Sequence, residues 1–325
     1  MARIAQLVFV SLMLAAGVMT AAAADFPSKP VRLIVPYPPG GALDIEARLM
    51  AAKLRDTWRQ PIIVENRPGA SGALGVDFVA KSAPDGHTLV LNALQMVMTP
   101  HLQRTPFDLA RDLVSVVKFA EVYYVMAVSP KTGVSSIGEL VELAKKEPGR
   151  LNYGSGGNGG ALHLYVELVK RAANINLTHI PYKGNALAMQ ALLAGDVDVI
   201  FDVSIAIIPL AKSGKVRALM VTGAKPLENL PNVPPLDSVF PALSSTGLSS
   251  ESWHGVFAPS ATPKAVVDQI AADVRAAVMS PEVSGRFREM GLDPAGDGPE
   301  QFGAIVRRDY ERWGQLIRDN NIRSD

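Results

Sequence analysis

The hydrophobic pattern of the chain predicts short buried strands that alternate with helices. The first half contains three short apolar runs rich in β-branched residues, at 31–36, 61–66 and 87–92. Such runs are typical of strands buried on both faces of a parallel sheet. Segments 44–58 and 73–83 lie between them and have helical character. Because a helix between two parallel strands forms a right-handed βαβ unit, we predict an α/β sheet in this part.

The same alternation begins again near residue 123 and predicts a second α/β sheet. Its strand candidates are 123–130, 151–154, 177–182, 197–202 and 216–223. Helical segments lie between them, so this part of the chain reads as an independent α/β unit.

The last quarter of the chain returns to an existing domain. The proline-rich segment 227–243 predicts an irregular surface connection, because proline cannot continue regular structure. A strand is predicted at 253–259, followed by helices near 263–279, 281–290 and 299–318. These helices have no sheet of their own and must pack on one of the two units.

The amino terminus predicts export. Arg3 is followed by an uncharged apolar run and by Ala22-x-Ala24, which indicates a secretory signal at 1–24, cleaved before Asp25. A membrane anchor is the alternative, but the end of the run is Thr and Ala, so its core is shorter than the ~20 residues of a membrane span. No cysteine lies near the cleavage site, so lipid attachment is excluded.

Composition narrows the function classes. Of 325 residues, 48% are apolar and 19% charged, which is typical of a globular chain long enough for two domains. The chain has no cysteine, which excludes disulfides, thiolate metal sites and a cysteine nucleophile. A formal net charge of +1 offers no basic field for nucleic acid.

Two glycine-rich turns follow strands and precede helices. The first is PYPPGGALD, 36–44, in which Gly40 and Gly41 expose backbone N–H groups and Asp44 is placed to cap or open the helix. The second is NYGSGGNGG, 152–160, whose five glycines within a few residues exceed what a plain turn needs. Ligands bind at such positions in open parallel sheets, and helix N-termini favour anions. A tight turn without a ligand is the alternative for each.

The second turn also matches G-x-G-x-x-G at Gly154, Gly156 and Gly159, which raises a dinucleotide-binding alternative. That fold requires an acidic residue at the end of the next strand, whereas this chain has LTHIPYKG there, without one. A third candidate turn is PYKGN, 181–185, where Lys183 could pair with a carboxylate or remain in solvent.

Motifs for catalysis are weak. There is no P-loop, and Ser155 lacks the first glycine of a G-x-S-x-G elbow. The five histidines show no metal spacing. We therefore expect no catalytic residues, no cofactor and no metal site, and an enzyme is not predicted. A secreted hydrolase that uses Ser155 with His163 or His179 is the alternative.

At this point a resemblance is evident. The runs VRLIVPYPPGGALDIEARLMAAKL, QPIIVENRPGASGALGVDFVAKSAPDGHTLVL, GRLNYGSGGNGGALHL and HIPYKGNALAMQALLAGDVDVIFD resemble the Bug family, the extracytoplasmic solute-binding components of tripartite tricarboxylate transporters. SGKVRALMVT, WHGVFAPSATPKAVVDQI and PEQFGAI extend the resemblance over essentially the whole mature chain.

The resemblance implies a two-lobed periplasmic binding protein, a type II-like flytrap whose lobes are mainly parallel sheets flanked by helices. We expect lobe 1 to comprise 25–124 plus 225–325 and lobe 2 to comprise 125–224, with hinges near 120–126 and 222–252. A small carboxylate is expected between the lobes of a monomer that delivers it to membrane subunits of the transporter. A sensor that presents the same ligand to a membrane kinase is the alternative from another class.

The expected ligand-facing residues combine the glycine turns with the ends of neighbouring strands. They are Tyr37, Pro39, Gly40, Gly41, Asp44, Asn92, Ser155, Gly156, Asn158, Tyr182, Lys183, Gly184 and Asp202.

The chain departs from the family pattern at three places. The first turn reads PGGALD where the family has a third glycine and a small residue, the third strand is followed by ALQMVM, and Asp202 is followed by VSIAIIP. Each change makes the cleft more apolar. We therefore expect a ligand with an apolar or aromatic body and one or more carboxylates, rather than a citrate-like polyacid.

Overall fold

The computed structural model of the chain describes residues 26–157, 161–244 and 252–319. The predicted signal segment 1–24, Asn158 and part of the predicted second hinge lie outside these residues.

Eleven strands of the described residues form two sheets, one of six strands and one of five. The strands are β1 (Val31–Val35), β2 (Ile62–Asn66), β3 (Thr88–Ala93), β4 (Leu113–Val122), β5 (Tyr124–Val128), β6 (Asn152–Ser155), β7 (Thr178–Pro181), β8 (Val199–Val203), β9 (Arg217–Val221), β10 (Ser252–Pro259) and β11 (Leu292–Asp297).

Helices cover the sheets and fill the connections between strands. They are α1 (Ala42–Trp58), α2 (Ala73–Ala80), α3 (Gln95–Leu102), α4 (Leu109–Asp112), α5 (Ile137–Lys146), α6 (Ala161–Ala173), α7 (Asn185–Ala194), α8 (Ser204–Lys212), α9 (Leu236–Val239), α10 (Pro241–Ser244), α11 (Lys264–Met279), α12 (Pro281–Glu289) and α13 (Pro299–Asp319). Two short 3₁₀ turns, Ala70–Gly72 and Pro130–Thr132, complete the set.

The first sheet has the order β11-β4-β10-β3-β1-β2, and the second has the order β7-β6-β8-β5-β9. The predicted two-lobed α/β fold is confirmed, although the sheets are mixed rather than mainly parallel. β1 is parallel to β2 and β3, and β6 is parallel to β7 and β8. In the first sheet β10 and β11 run opposite to the βαβ strands, because β10 is antiparallel to β3 and both are antiparallel to β4. In the second sheet β5 runs opposite to its neighbours β8 and β9.

Two strands had no counterpart in the sequence prediction. β4 passes directly into β5 with only Tyr123 between them, so the hydrophobic pattern shows no turn that separates the sheets. β11 contains Pro294 and Gly296 and occupies an edge of the first sheet, the place where a strand tolerates proline. The segment 227–243, predicted as irregular, contains the single-turn helix α9 and the start of α10.

One apolar core is shared by both sheets. It contains Val90 of the first sheet, Tyr124 and Phe201 of the second, and residues of α6 and α13. The rings of Tyr165 on α6 and Trp313 on α13 meet edge to face, 5.6 Å apart. Aromatic side chains bury large areas in such pairs. This contact therefore packs α13, at the end of the described chain, against α6 of the second sheet.

The strand order groups the predicted turns at the carboxyl-terminal ends of the strands, one group in each sheet. Because β1 and β3 are adjacent and parallel, Asn92 near the end of β3 lies beside the turn that follows β1. In the second sheet β7, β6 and β8 are neighbours, so the two turns after β6 and β7 lie side by side with Asp202 on β8. The candidate site residues therefore lie at the carboxyl ends of β1 and β3 in the first sheet and of β6, β7 and β8 in the second.

Candidate functional site

The first loop, residues 36–41, joins β1 to α1 through exposed glycines. Gly41 is the N-cap of α1 with extended backbone (φ −78°), and no side chain caps the helix. Gly40 has φ +84°, and a Cβ built on it meets nothing within 4 Å. The first N–H groups of a helix have no acceptor within it, so the amino terminus of this 17-residue helix presents donors toward open space.

Asp44 holds the first loop in place. Its side chain is only 4% exposed, and its Oδ2 accepts hydrogen bonds from Gly40 N at 2.9 Å and Arg48 Nε at 3.1 Å. Its Oδ1 accepts from Arg48 at 2.8 Å and from Asn66 Nδ2 at 3.0 Å. Burial alone would raise the pKa of Asp44, but these hydrogen bonds and the Arg48 charge lower it. The ionised carboxylate therefore positions Gly40.

Tyr37 and Asn92 extend this group across the sheet. The Tyr37 hydroxyl donates to Asn92 Oδ1 at 3.0 Å, and Asn92 is buried. Burial raises the pKa of Tyr37, so the phenol stays a donor. Asn66, which sequence reasoning missed, also donates Nδ2 to the Tyr37 carbonyl at 3.1 Å. The missed signal was a polar residue at the end of β2, next to the first loop.

The second and third loops interlock. The second loop begins at Ser155 and is described up to Gly157, and the third loop is residues 182–184. Tyr182 N donates to Ser155 O at 2.9 Å, and Gly184 N donates to Gly156 O at 3.2 Å. A Cβ on Gly156 would lie 2.0 Å from Asn185 Oδ1 and 2.9 Å from Asn185 N, so this glycine permits the close approach of the third loop.

The third loop opens α7 as the first loop opens α1. Gly184 is the N-cap of α7, with φ +109° and no atom within 4 Å of a built Cβ. Lys183 is exposed and Tyr182 is half-buried. A left-handed glycine in open space before a helix is thus found at one loop of each sheet, at Gly40 and at Gly184.

Ser155 is held by its neighbours rather than presented to solvent. It is 2% exposed, its Oγ contacts the backbone of Gly157, and it lies 2.7 Å from His179 Nε2. The His179 ring stacks on His163 at 4.2 Å and on Tyr153 at 4.7 Å. Burial, then the neighbouring His163, lowers the pKa of His179 to about 4, so the ring is neutral at pH 7.

A serine bonded to a histidine is the geometry of a nucleophile, but the surroundings differ from a catalytic site. The hydroxyl is buried and contacts its own loop, and within the described part of the chain no carboxylate hydrogen-bonds to His179. The pair therefore orders the second loop. Among the described residues, no three side chains of the metal-binding types cluster together.

Asp202 lies at the end of β8, opposite Val125 of β5. It is 3% exposed, and its Oδ1 accepts from Val203 N at 2.8 Å. Burial raises the pKa of Asp202 to about 7, with only the Val203 hydrogen bond acting against it. This carboxyl is therefore partly protonated near neutral pH and can donate a hydrogen bond that an ionised aspartate cannot.

The predicted site residues thus form two groups. Tyr37, Gly40, Asp44 and Asn92 belong to one network, and Ser155, Gly156, Tyr182 and Gly184 belong to the other. No hydrogen bond within the described part of the chain joins these two networks directly.

Two surface hollows lie elsewhere. One of about 320 Å³ is lined by residues around β9 and the end of α8, including Lys212 and Arg217. The other, of about 800 Å³, is lined by the starts of α11 and α13. Neither hollow includes a residue of the three loops. Across the described residues no helix is both long and apolar enough to span a bilayer.

Comparison with known proteins identifies relatives of this chain. The model of the tripartite tricarboxylate transporter family receptor matches residues 46–322. BugT of Bordetella pertussis is 30% identical over 312 residues, which cover 95% of this chain and 94% of BugT.

Two solved structures are similar to this chain in both sequence and fold. The structure of R. palustris Rpa4515 with adipate is 31% identical and superposes with a TM-score of 0.84, covering 92% of this chain and 99% of that one. The periplasmic binding protein BugD is 30% identical with a TM-score of 0.82, covering 92% of this chain and all of BugD.

Proposed function

The chain belongs to the tripartite tricarboxylate transporter receptor family, and from this premise we propose that it captures a small carboxylate-bearing solute between two lobes. Lobe 1 comprises 25–124 and 225–325, and lobe 2 comprises 125–224. The solute is delivered to the membrane subunits of a tripartite tricarboxylate-type transporter, and the protein acts as a monomer in the periplasm after removal of residues 1–24.

One observation carries this proposal: a helix of each lobe starts with uncapped N–H groups behind an open glycine. α1 starts behind Gly40 and α7 starts at Gly184, each at the carboxyl end of a parallel strand. A helix N-terminus carries about half a positive charge and offers free donors, so a carboxylate binds there without an arginine. Two to four such hydrogen bonds at ~1.5–3 kcal/mol each are consistent with micromolar affinity.

The ligand-facing residues follow from the two networks. Gly41, Lys183 and the first N–H groups of α1 and α7 supply donors. Gly40 and Gly184, whose own N–H groups donate to Asp44 Oδ2 and Gly156 O, leave open space in front of these helix starts. Tyr37 and Tyr182 offer ring surface to the ligand body. Pro39 is exposed beside Gly40 and stiffens the first loop. Asp44, Asn92, Ser155, Gly156 and Asp202 shape the loops and the floor of the cleft, and Asn158 lies outside the described residues.

The ligand body is apolar. The adipate bound to Rpa4515 joins two carboxylates by a methylene chain, which is consistent with such a body. Exposed apolar side chains stand in the first turns of α1, α2 and α7, at Ile45, Leu74 and Leu187. These side chains favour a ligand with two parts. Its carboxylate would bind the N–H groups at the start of α1 or α7, and its apolar body would pack against the exposed apolar side chains.

A thermal-shift screen of the mature protein tests the proposal, followed by calorimetric titration. We expect stabilisation by adipate, hexanoate or benzoate and weaker binding of citrate. A ligand at 100 times its dissociation constant adds about 2.7 kcal/mol, which gives a clear shift. Tight citrate binding without binding of the apolar acids contradicts the apolar body, and no response to any organic acid contradicts carboxylate capture.

Transport and signalling roles share this binding step. A sensor that presents the ligand to a membrane kinase is the second candidate, and pull-down with the membrane subunits separates the two. Product formation from an ester panel, abolished in a Ser155→Ala variant, would instead support a hydrolase.

A further inference from the structure

A single side-chain hydrogen bond joins the starts of two helices that belong to different sheets. Gln95 is the first residue of α3, which follows β3 in the first sheet. Ala161 is the first residue of α6, which follows the second loop in the second sheet. Ala161 N donates to Gln95 Oε1 at 2.9 Å.

Gln95 Oε1 lies at the amino terminus of α6, a position that favours anions. The N–H of the first helical residue has no partner within its own helix, and α6 is a 13-residue helix with a corresponding dipole. A glutamine oxygen at this point takes the place of a carboxylate oxygen. The first N–H of α6, that of Ala161, is therefore already engaged by the protein.

The glutamine is held in this orientation by its own helix. Its Nε2 donates to Thr99 Oγ1 at 3.4 Å, and Thr99 Oγ1 donates to the Gln95 carbonyl at 2.9 Å. Thr99 is buried, so its hydroxyl is a fixed partner. With its nitrogen directed at Thr99, the amide oxygen of Gln95 points to Ala161 N at the start of α6.

The loops at the other two helices differ in this respect. No side chain caps α1 or α7, and the glycines Gly40 and Gly184 are open on their Cβ side. Of the three helices that follow glycine loops, α6 has its first N–H engaged from the opposite sheet, whereas α1 and α7 remain free for an anion.

We propose that Gln95 is a positioning residue that bridges the two lobes and excludes ligand carboxylates from the amino terminus of α6. The Gln95 bridge stabilises the described arrangement of the two lobes and restricts anionic groups of the solute to α1 and α7. This inference deepens the proposed function and rests on it, because it names which helix N-termini the solute uses.

A distance measurement tests the bridge without any ligand. The chain has no cysteine, so cysteines introduced at two exposed positions are the only sites that a spin label can modify. We choose the double variant Asp56→Cys, Lys145→Cys, with one label on α1 and one on α5. We expect the ligand-free protein to show mainly one short distance. Gln95→Ala should shift the distribution to longer distances, while Gln95→Glu, which retains the acceptor, should restore the short one.

Gln301→Ala is the matched control, because Gln301 is exposed in the first turn of α13, far from the loops in sequence. It should leave the distances unchanged. Far-ultraviolet circular dichroism checks that each variant is folded. An identical distribution in Gln95→Ala and the unsubstituted protein would overturn the bridge.

A second measurement tests exclusion with two acids of equal chain length, adipate and hexanoate. Removal of the Gln95 side chain frees a helix N-terminus for a second carboxylate, so the affinity ratio of adipate to hexanoate should rise about fivefold in Gln95→Ala. An unchanged or lower ratio would refute exclusion from α6.

The two arms separate this inference from the proposed function. If the distances shift as expected but neither acid binds any variant, carboxylate capture fails while the bridge stands. If both acids bind with unchanged distances, capture stands and the bridge fails.

Discussion

Asp44 and Asp202 are two aspartates with nearly the same burial and opposite ionisation. Each lies at the carboxyl end of a parallel strand or in the helix that follows it, and their exposures are 4% and 3%. Asp44 accepts hydrogen bonds from Arg48, Asn66 and Gly40, and its pKa is lowered. Asp202 accepts one hydrogen bond from Val203, and burial raises its pKa to about 7.

The difference shows that partners, not depth, decide the charge of a buried carboxyl. A buried charge is tolerated where cations and hydrogen-bond donors replace water, and otherwise the group takes up a proton. The first loop is accordingly held by an ionised network, whereas the second and third loops are held by neutral groups. A carboxylate bound between the lobes, as proposed, would meet an ionised and compensated Asp44 in one lobe and a partly protonated Asp202 in the other.

The largest expected effect comes from Asp202→Asn. Its folded pKa lies above the unfolded value of 3.8, so the folded protein holds a proton between pH 3.8 and about 7 that the unfolded chain has lost. Stability from this group therefore falls as the pH rises through this window. Asp202→Asn should be more stable than the unsubstituted protein by up to about 4 kcal/mol at pH 8 and nearly equal to it at pH 4.

Urea unfolding at pH 4, 6 and 8 measures this dependence. Asp196→Asn is the control, since Asp196 is exposed in the turn before β8. A stability gain for Asp202→Asn that is the same at all three pH values would mean that Asp202 is ionised in the fold.

Asp44→Ala should have the opposite sign. The substitution removes four hydrogen bonds to a buried carboxylate, so Gly40 N loses its acceptor and Asn66 Nδ2 is left with the Tyr37 carbonyl, which should cost about 2–4 kcal/mol at pH 7. Because the folded pKa of Asp44 is lowered, its contribution is present above 3.8 and is lost as the pH falls below that value.

Chemical denaturation at pH 7 and pH 3, with Asp56→Ala on the same helix as control, checks this prediction. If Asp44→Ala and Asp56→Ala have equal small effects, the first loop is not held by the charged network.

Replacing Gly156 or Gly41 with alanine makes the same chemical change in the second loop and in the first loop, so the two variants compare how tightly these loops are packed. At Gly156 the Cβ would lie 2.9 Å from the Asn185 backbone nitrogen, whereas at Gly41 the nearest atom, Pro38 O, is 3.7 Å away. We expect Gly156→Ala to destabilise the protein by about 1–3 kcal/mol and Gly41→Ala by less than about 0.5 kcal/mol. Thermal unfolding of the pair decides this, and equal destabilisation would contradict the close contact between the second and third loops.

The smallest expected effect is local and concerns His179. Its folded pKa of about 4 lies below its ordinary value of 6.5, so its contribution to stability is complete above pH 6.5 and is lost as the pH falls toward 4. Protonation places charge beside His163, whose pKa is also lowered by burial, and disturbs the contact with Ser155. Hydrogen–deuterium exchange of residues 153–157 should therefore accelerate between pH 6.5 and 4.5, beyond the intrinsic pH dependence.

His179→Gln should show a flatter pH dependence of that exchange, and His101→Gln, in helix α3 after the first sheet, should match the unsubstituted protein. If His179→Gln retains the full acid response, the second loop owes its order to other contacts.

Local chemistry made several features predictable. Short β-branched runs identified β1, β2, β3, β8 and β9. β1, β3 and β8 are buried over most of their length, and a strand buried on both faces must be apolar throughout, whereas the edge strands β2 and β9 are partly exposed. Glycines between a strand and a helix marked the loops, because only glycine adopts the positive φ found at Gly40 and Gly184 without strain. By contrast β11 was missed, since its stability comes from pairing with β4 and not from its own composition.

The sequence by itself determined the order of the elements, the places where bare backbone meets a helix start, and the family, because these depend on residues adjacent along the chain. Only the tertiary structure decided what those loops touch. Gln95 reaches α6 across 66 positions of sequence, and Ser155 meets His179 from a different strand. Asp44 and Asp202 are the same residue type at nearly equal burial, and their ionisation differs because the fold supplies different partners. Asp44 accepts from Gly40 and Arg48 within one helical turn and from Asn66 of β2, whereas within the described ranges Asp202 accepts only from Val203.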